Sequence, residues 1–429
     1  METKKLYDEY LITSMVPGFD PVEVESARGT RVRCASGKDY LDCFSGIAVC
    51  NAGHGHPKVI AAAKAQMDEL VHCCSYVYYN PMAGRLAKAL AEVTPGDLKK
   101  SFLANSGAEA VEGALRLARH FTGRNEFAAL THSFHGRTYA TLSISGNSAR
   151  KKQGGPFMPG VVFAPAPYAY RCPYGSLTDA ECAERSAQAL AETIRYQSSG
   201  NVAAFIAEPV LGEGGILVPQ ESYFGYVKEI LDEQGILFIC DEVQTGFGRT
   251  GKLFAIEHFA VQPEIMTVAK AIADGFPLGA FIARADVADA FTPGSHLSTF
   301  GGNPVSCAAA LANIDVMQAE KLPENAAARG AQIMAALKPL EDESTLVGEV
   351  RGKGLMIGIE LVKDDEKTPA PGEAAEVKRR CREAGILVGV GGSLGNVVRL
   401  QPPLVLTEDE AAEVTDKLTT ILKAVNQSL

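Results

Sequence analysis

The sequence predicts an α/β fold: a large domain whose mostly parallel central sheet lies between helices, joined to a smaller α+β domain. Short apolar runs alternate with longer segments of helical period from Pro57 to about Ala310, the pattern of strands covered on both faces by crossover helices. Residues able to do chemistry, Ser106, His135, Glu208, Asp241 and Lys270, fall just after those runs. A parallel sheet gathers its carboxyl ends at one edge, so these separated positions converge on one site. Beyond about Met317 the regular alternation gives way to mixed strand-like and helical stretches.

At 429 residues the chain exceeds what one core usually supports. The expected division is an N-terminal segment (1–57) belonging to the small lobe, a large domain (58–316) and a C-terminal small domain (317–429). Hydrophobic content of 46% and charged content of 21% are ordinary for a globular protein. The net charge of −10 is spread without a basic cluster, which argues against nucleic acid or an anionic membrane as partner. The opening METKKLYDEY lacks an apolar core and no membrane-length apolar run follows, so a cytoplasmic location is expected. The ten cysteines show no CxxC spacing and several sit in apolar runs, which predicts buried, reduced thiols. His54 with His56, and His132 with His135, lack a completing Cys or carboxylate cluster, so no metal site is expected.

In chain order, Val22–Glu25, Arg31–Arg33 and Asp39–Asp42 predict a hairpin, followed by the Gly-rich loop GIAVCNAGHGHP. ANSGAEAVEGALRLARHFTG (104–123) follows a strand and reads as an amphipathic helix, with acids in its first turn, Arg119 and His120 in its last, and Gly123 as C-cap. Free amides at Ser106, Gly107 and Ala108 would bind an anion; alternatively Ser106 and Glu109 simply form a capping box. In FHGRT, Phe134 could stack on a flat ring and Arg137 could grip a carboxylate. The run Ile236–Cys240 ends in Asp241, and Ile265–Ala269 ends in Lys270. Two interpretations stay open for that pair: a structural ion pair, or a pyridoxal phosphate site with lysine as Schiff-base former and aspartate holding the ring nitrogen protonated. Near the end, Thr407 to Glu410 has capping-box spacing before an amphipathic helix through Leu418 and Ile421.

The ordered set SGAEA, FHGRT, EPVLGEGG, DEVQTGFGRTGKLFA, TVAKAIADGFPLGA and HLSTFGGNP resembles the class III (ω-amino acid) aminotransferases of PLP fold type I across nearly the whole chain. Within that family it looks most like the 4-aminobutyrate branch, with the acetylornithine, ornithine and alanine–glyoxylate branches nearby. Racemases of this fold and dialkylglycine decarboxylases are the rivals; the absence of Trp argues against the decarboxylase. The resemblance implies pyridoxal phosphate as cofactor, Lys270 as its covalent partner and Asp241 at its ring nitrogen. Val243 and Phe134 would flank the ring, with His135 nearby and Gln244 on its phenolic oxygen. Ser106, Gly107 and Ala108 would hold the phosphate, joined by Thr299 from a neighbouring subunit, which implies a homodimer or a dimer of dimers. For substrate it implies Ile47, Arg137, Glu208, Glu213 and Arg399, with an amino donor and a keto acid, probably 2-oxoglutarate in that family, sharing one pocket.

Overall fold

The computed structural model describes residues 2–12, 19–175 and 177–428. The N-terminal stretch, expected as one hairpin, folds as three antiparallel strands: β1 (Val24–Arg28), β2 (Arg31–Cys34) and β3 (Asp39–Asp42). Gly29, with φ of 58°, makes the tight turn between the first two. The apolar runs then form β4 (Leu98–Ala104), β5 (Glu126–Leu130), β6 (Val161–Ala164), β7 (Val202–Ala207), β8 (Leu237–Asp241), β9 (Ile265–Val268) and β10 (Gly279–Arg284). In space they lie in the order β4-β10-β9-β8-β7-β5-β6. β6, β5, β7, β8 and β9 are parallel, and β10 runs antiparallel to both β9 and β4. This is the mostly parallel sheet the alternation predicts.

Strands β7, β8 and β9 are buried along their whole length, which is why their sequence shows continuous apolar runs instead of alternation with polar residues. Successive side chains point to opposite faces. Phe205, Phe238 and Met266 enter one core with Leu190, Phe224 and Ile314 from the covering helices. Ile206, Ile239 and Ile265 enter the other, against Val111, Ala114 and Leu115 of the helix Gly107–Thr122. With both faces occupied, the open edge left for chemistry is the one where the strands end.

The C-terminal part contributes β11 (Val347–Lys353), β12 (Met356–Leu361), β13 (Ile386–Leu387), β14 (Gly389–Gly391) and β15 (Val397–Leu400). Four of these form an antiparallel sheet in the order β11-β12-β15-β14, while β13 pairs in parallel with β3. Leu41 of β3 shares a core with Val350, Ile357 and Leu400, so the start and end of the chain are packed together. The last helix, Glu408–Asn426, begins with the predicted capping box of Thr407 and Glu410 and buries Leu418 and Ile421. Among the described residues no helix is long and apolar enough to cross a membrane.

A buried polar network joins the segment after β6 to the C-terminal sheet. Glu360 of β12 accepts from Arg171 Nε at 2.5 Å, from Arg351 Nη1 at 2.6 Å and from the Tyr168 hydroxyl. Burial alone would raise the Glu360 carboxyl, but Arg351, Tyr168 and Arg171 outweigh it and hold the group below its usual range. In the same segment Cys172 and Cys182 form a disulfide, which corrects the expectation of wholly reduced thiols. The turn Ala169–Arg171 and the start of the helix Asp179–Gln197 bring their Cα atoms to 6.2 Å, a proximity their spacing does not advertise. Of the free cysteines, Cys34, Cys43, Cys240, Cys307 and Cys381 are buried.

Removing one partner from a buried ion network leaves charge uncompensated. Glu360→Ala is expected to lower the unfolding free energy by about 3 kcal/mol, read from denaturant unfolding. A loss below about 1 kcal/mol would show that the network contributes little to joining the two parts.

Candidate active site

Asp241 is the last residue of β8 and is 2% exposed. Parallel pairing sets it opposite Thr267 of β9, whose hydroxyl donates to Asp241 Oδ1 at 3.0 Å; the Val243 N–H donates to the same oxygen at 3.1 Å. His135 Nδ1 lies 2.6 Å from Oδ2 and donates to it, since an ionised carboxylate only accepts. His135 is itself buried, and its Nε2 has no partner among the described residues.

Lys270 begins the short turn Lys270–Ala273 just after β9, with φ of 47°. Asn313 Nδ2 fixes that turn from beneath by donating to Ala271 O at 2.7 Å and Ile272 O at 3.2 Å. Among the described residues Nζ of Lys270 has neither a hydrogen-bond partner nor an ion-pair partner. The structural ion pair with Asp241 is therefore not formed. Burial lowers the Lys270 ammonium from its usual range, opposed in part by Asp241, Glu208 and Glu213. A lysine depressed in this way is closer to the neutral amine that covalent chemistry needs.

The helix Gly107–Thr122 starts at the end of β4, and its N-terminus carries one half of the expected capping box. Ser106 Oγ accepts from the Glu109 N–H at 3.2 Å, and the Glu109 side chain accepts from the Asn105 N–H at 2.8 Å, so the cap exists. The Gly107 and Ala108 amides precede the first intrahelical bonds, and both residues line the cavity described below. A Cβ on residue 107 would lie 2.8 Å from Val243 Cγ1, so glycine is required for the approach. At the far end Gly123 caps the helix with φ of 67°, as its sequence predicts.

The acidic residues divide by task. Glu208, 5% exposed, accepts from the Phe134 N–H at 2.9 Å and the Gly212 N–H at 2.8 Å, one loop on each oxygen. Burial raises its carboxyl to about 7. Glu213 instead meets cations. Arg399 Nη1 of β15 donates to its Oε2 at 3.0 Å, and Arg150 Nε donates to its Oε1 at 2.9 Å. Burial would raise the Glu213 carboxyl, but Arg399 and Arg150 outweigh it and hold the group below its usual range. Arg399 is buried, lies over the Phe44 ring, and crosses Gly391 where a Cβ would sit 2.7 Å from its Cζ.

These residues enclose a cavity of about 340 Å³. Ser106, Gly107, Ala108, Phe134, His135, Glu208, Glu213, Asp241, Val243, Gln244 and Lys270 all line it. Gln244 Oε1 accepts from Gln401 Nε2 at 3.1 Å. Arg137, Ile47, Thr299 and Arg399 stand outside this wall. Arg137 is exposed, with its guanidinium 5.5 Å from the centre of the Phe134 ring. Ile47 is 43% exposed in a turn of positive φ, and Thr299 is exposed beside Leu297 and Phe300. Sequence reasoning missed Val49, the Gly275–Leu278 loop and Arg150. The first two carry no chemical signal, and Arg150 sits in a basic surface-like stretch, Ala149–Lys152.

Pyridoxal phosphate fits this donor set: an unpaired, half-buried lysine, a buried carboxylate, apolar Val243 and aromatic Phe134 for a flat ring, and a helix N-terminus for phosphate. A sequence model of the family described as aminotransferase class-III matches residues 15–422. Among similar proteins, the acetylornithine aminotransferase of Methanothermobacter thermautotrophicus is 43% identical over 93% of each chain. A 4-aminobutyrate aminotransferase of Mycobacterium tuberculosis is 38% identical over 94% of this chain and 91% of its own. An (S)-enantioselective omega-transaminase from Thermomicrobium roseum superposes with a TM-score of 0.91 at 36% identity over 98% of each chain.

Glutamine at 208 offers one acceptor and one donor where two loop amides both donate. Measured above about pH 7, where the Glu208 carboxyl is ionised, Glu208→Gln is expected to speed hydrogen exchange at the Phe134 or Gly212 amide by roughly tenfold or more, from the cost of an unsatisfied donor. Equal protection of both amides in variant and wild type would refute this role. The wild-type carboxyl, at about 7 in the fold against 4.5 ordinarily, holds a proton the unfolded chain releases. Its stabilising contribution is complete below 4.5 and is lost as pH rises through about 7, and the variant should lack that fall.

Proposed function

The chain belongs to the class III aminotransferase family, and from that membership we propose that it moves an amino group from an ω-amine donor of the acetylornithine type to 2-oxoglutarate. It is a pyridoxal-phosphate-dependent aminotransferase of PLP fold type I. The acetylornithine relative exceeds the 4-aminobutyrate relative in identity, 43% against 38%, which supports the former donor over the one the motifs first suggested.

When bound, pyridoxal phosphate supplies an electron sink for the carbon that loses its proton. In this reading Lys270 would hold the cofactor covalently, and its Nζ would serve as the base that takes that proton. Asp241, held by two donors on one oxygen and His135 on the other, would partner the ring nitrogen. Gly107, Ala108 and the Ser106 region would hold the phosphate, Phe134 and Val243 would flank the ring, and Gln244 would offer its side-chain amide N–H groups to the phenolic oxygen. Thr299 serves the phosphate of a neighbouring subunit in a homodimer. Its exposure beside the exposed Leu297 and Phe300 supports that assignment.

The observation that carries the substrate reading is the pairing of Glu213 with Arg399. An ω-amine presents no carboxylate beside its reacting carbon, and Arg399 neutralised by Glu213 suits it. 2-Oxoglutarate presents one, and Arg399 freed of Glu213 can clamp it, while Arg137 takes the distal carboxylate of either partner. Ile47 would meet the substrate from outside the cavity wall, and Glu208 holds the two loops that shape the pocket.

Mixed singly with holoenzyme and no keto acid, N-acetylornithine is expected to bleach the absorbance of the lysine-bound cofactor faster than 4-aminobutyrate. The reverse order would restore the 4-aminobutyrate assignment, and racemisation of an α-amino acid without bleaching would favour a racemase. Arg399→Ala should weaken 2-oxoglutarate by roughly ten- to a hundredfold, the worth of lost charge-assisted bonds. Its effect on the ω-amine half-reaction should be far smaller, and equal losses in both would end the switching assignment.

A further inference from the structure

Glu213 is held by two guanidiniums, and the substrate reading uses only Arg399. The other, Arg150, is anchored to the same sheet edge as the site. The chain at Gly146 crosses the end of β5 so closely that a Cβ there would meet Leu130 O at 2.0 Å. The Gly146 N–H donates to Ser133 Oγ at 3.0 Å, the Asn147 N–H donates to Ser133 O at 3.0 Å, and Ser133 Oγ donates to Leu130 O at 2.8 Å. The Asn147 side chain then caps the short helix Ser148–Lys151 by accepting from the Ala149 N–H. Arg150 therefore leaves a fixed turn.

The two arginines take different oxygens of one carboxylate, Arg150 Nε on Oε1 and Arg399 Nη1 on Oε2. The remaining donors of Arg399 are weakly used: Nη2 is 3.4 Å from Val390 O, Nη1 is 3.5 Å from Gly212 O, and buried Nε has no partner among the described residues. A carboxylate arriving at Arg399 thus competes with Oε2 alone. Were Arg399 the sole cation, Glu213 would have to be left buried and unpaired, which is strongly unfavourable. The side chains of Glu213 and Arg150 are 14% and 25% exposed, so solvent only partly relieves that cost.

We propose that Arg150 is a specificity-determining positioning residue, which keeps Glu213 paired while Arg399 turns to the α-carboxylate of the keto acid. By this means one pocket accepts an ω-amine and a dicarboxylate in turn. The inference rests on the ω-donor reading, and its test separates the two.

The probes are glutarate, with two carboxylates and no reacting group, and butyrate, with one. Their binding to holoenzyme is measured by calorimetry for wild type, Arg150→Ala, Arg150→Gln, Arg150→Lys and Arg399→Ala. In Arg150→Ala and Arg150→Gln the glutarate affinity should fall about tenfold more than the butyrate affinity, as expected for one charge-assisted bond. Arg150→Lys should restore the greater part, because the charge is kept although the fork is lost. Equal losses for both probes, or no loss, would overturn the role of Arg150. If Arg399→Ala alone shows the differential loss, the ω-donor reading stands without Arg150. If Arg399→Ala shows none, both fall together.

Discussion

Asp241 spends its carboxylate oxygens on His135, Thr267 and the Val243 amide, and so does not neutralise the lysine that shares its cavity. That constraint organises the molecule. A buried aspartate and a buried lysine left to themselves would pair, and the pair would be inert. Here the sheet delivers them from adjacent strands, β8 and β9, while separate partners fix each one: hydrogen-bond donors around Asp241, and Asn313 beneath the turn that carries Lys270. The lysine is left desolvated and unpaired, which favours its neutral, nucleophilic form.

The acids and arginines around this pair follow the same economy of partners. Glu208 answers two backbone donors and no cation, which is consistent with its carboxyl lying near 7 instead of in the usual acid range. Glu213 answers two cations and stays ionised. The first arrangement shapes the pocket by tying the Phe134 and Gly212 loops together. The second leaves a charge that can be redistributed between arginines without ever being abandoned in the interior. Positions that look alike in composition, two glutamates five residues apart on the loop after β7, differ in function because their surroundings differ.

Much of this was legible in the chain. The apolar runs Val161–Ala164 and Val202–Ala207 fold as strands β6 and β7 over their full length, and the boundary at Asp241 coincides with the end of β8. Strands buried on both faces must be continuously apolar, so their ends are marked by the first polar residue. The helix after Ser106 was equally readable, since its cap, its dipole-matched charges and Gly123 are local signals. The missing pieces are non-local. The pairing of β3 with β13, the disulfide between Cys172 and Cys182, and the bond from Arg150 to Glu213 each join residues whose neighbourhood in sequence says nothing of the partner. Arg249 is the extreme case: a fully buried guanidinium, lowered to about 9 by burial, that donates to Leu355 O, Pro402 O and Asn51 from inside a Gly-rich loop. The choice among amine donors was also beyond the motifs, because the branches share them.

The central claim is that Lys270, left unpaired beside Asp241, is the group that bonds the cofactor. Borohydride treatment of holoenzyme, followed by proteolysis and mass spectrometry, tests it directly. The account predicts that the reduced pyridoxyl mass is found on the peptide carrying Lys270 and on no other lysine. A label on a different lysine, or a holoenzyme that takes no label at all, would contradict it.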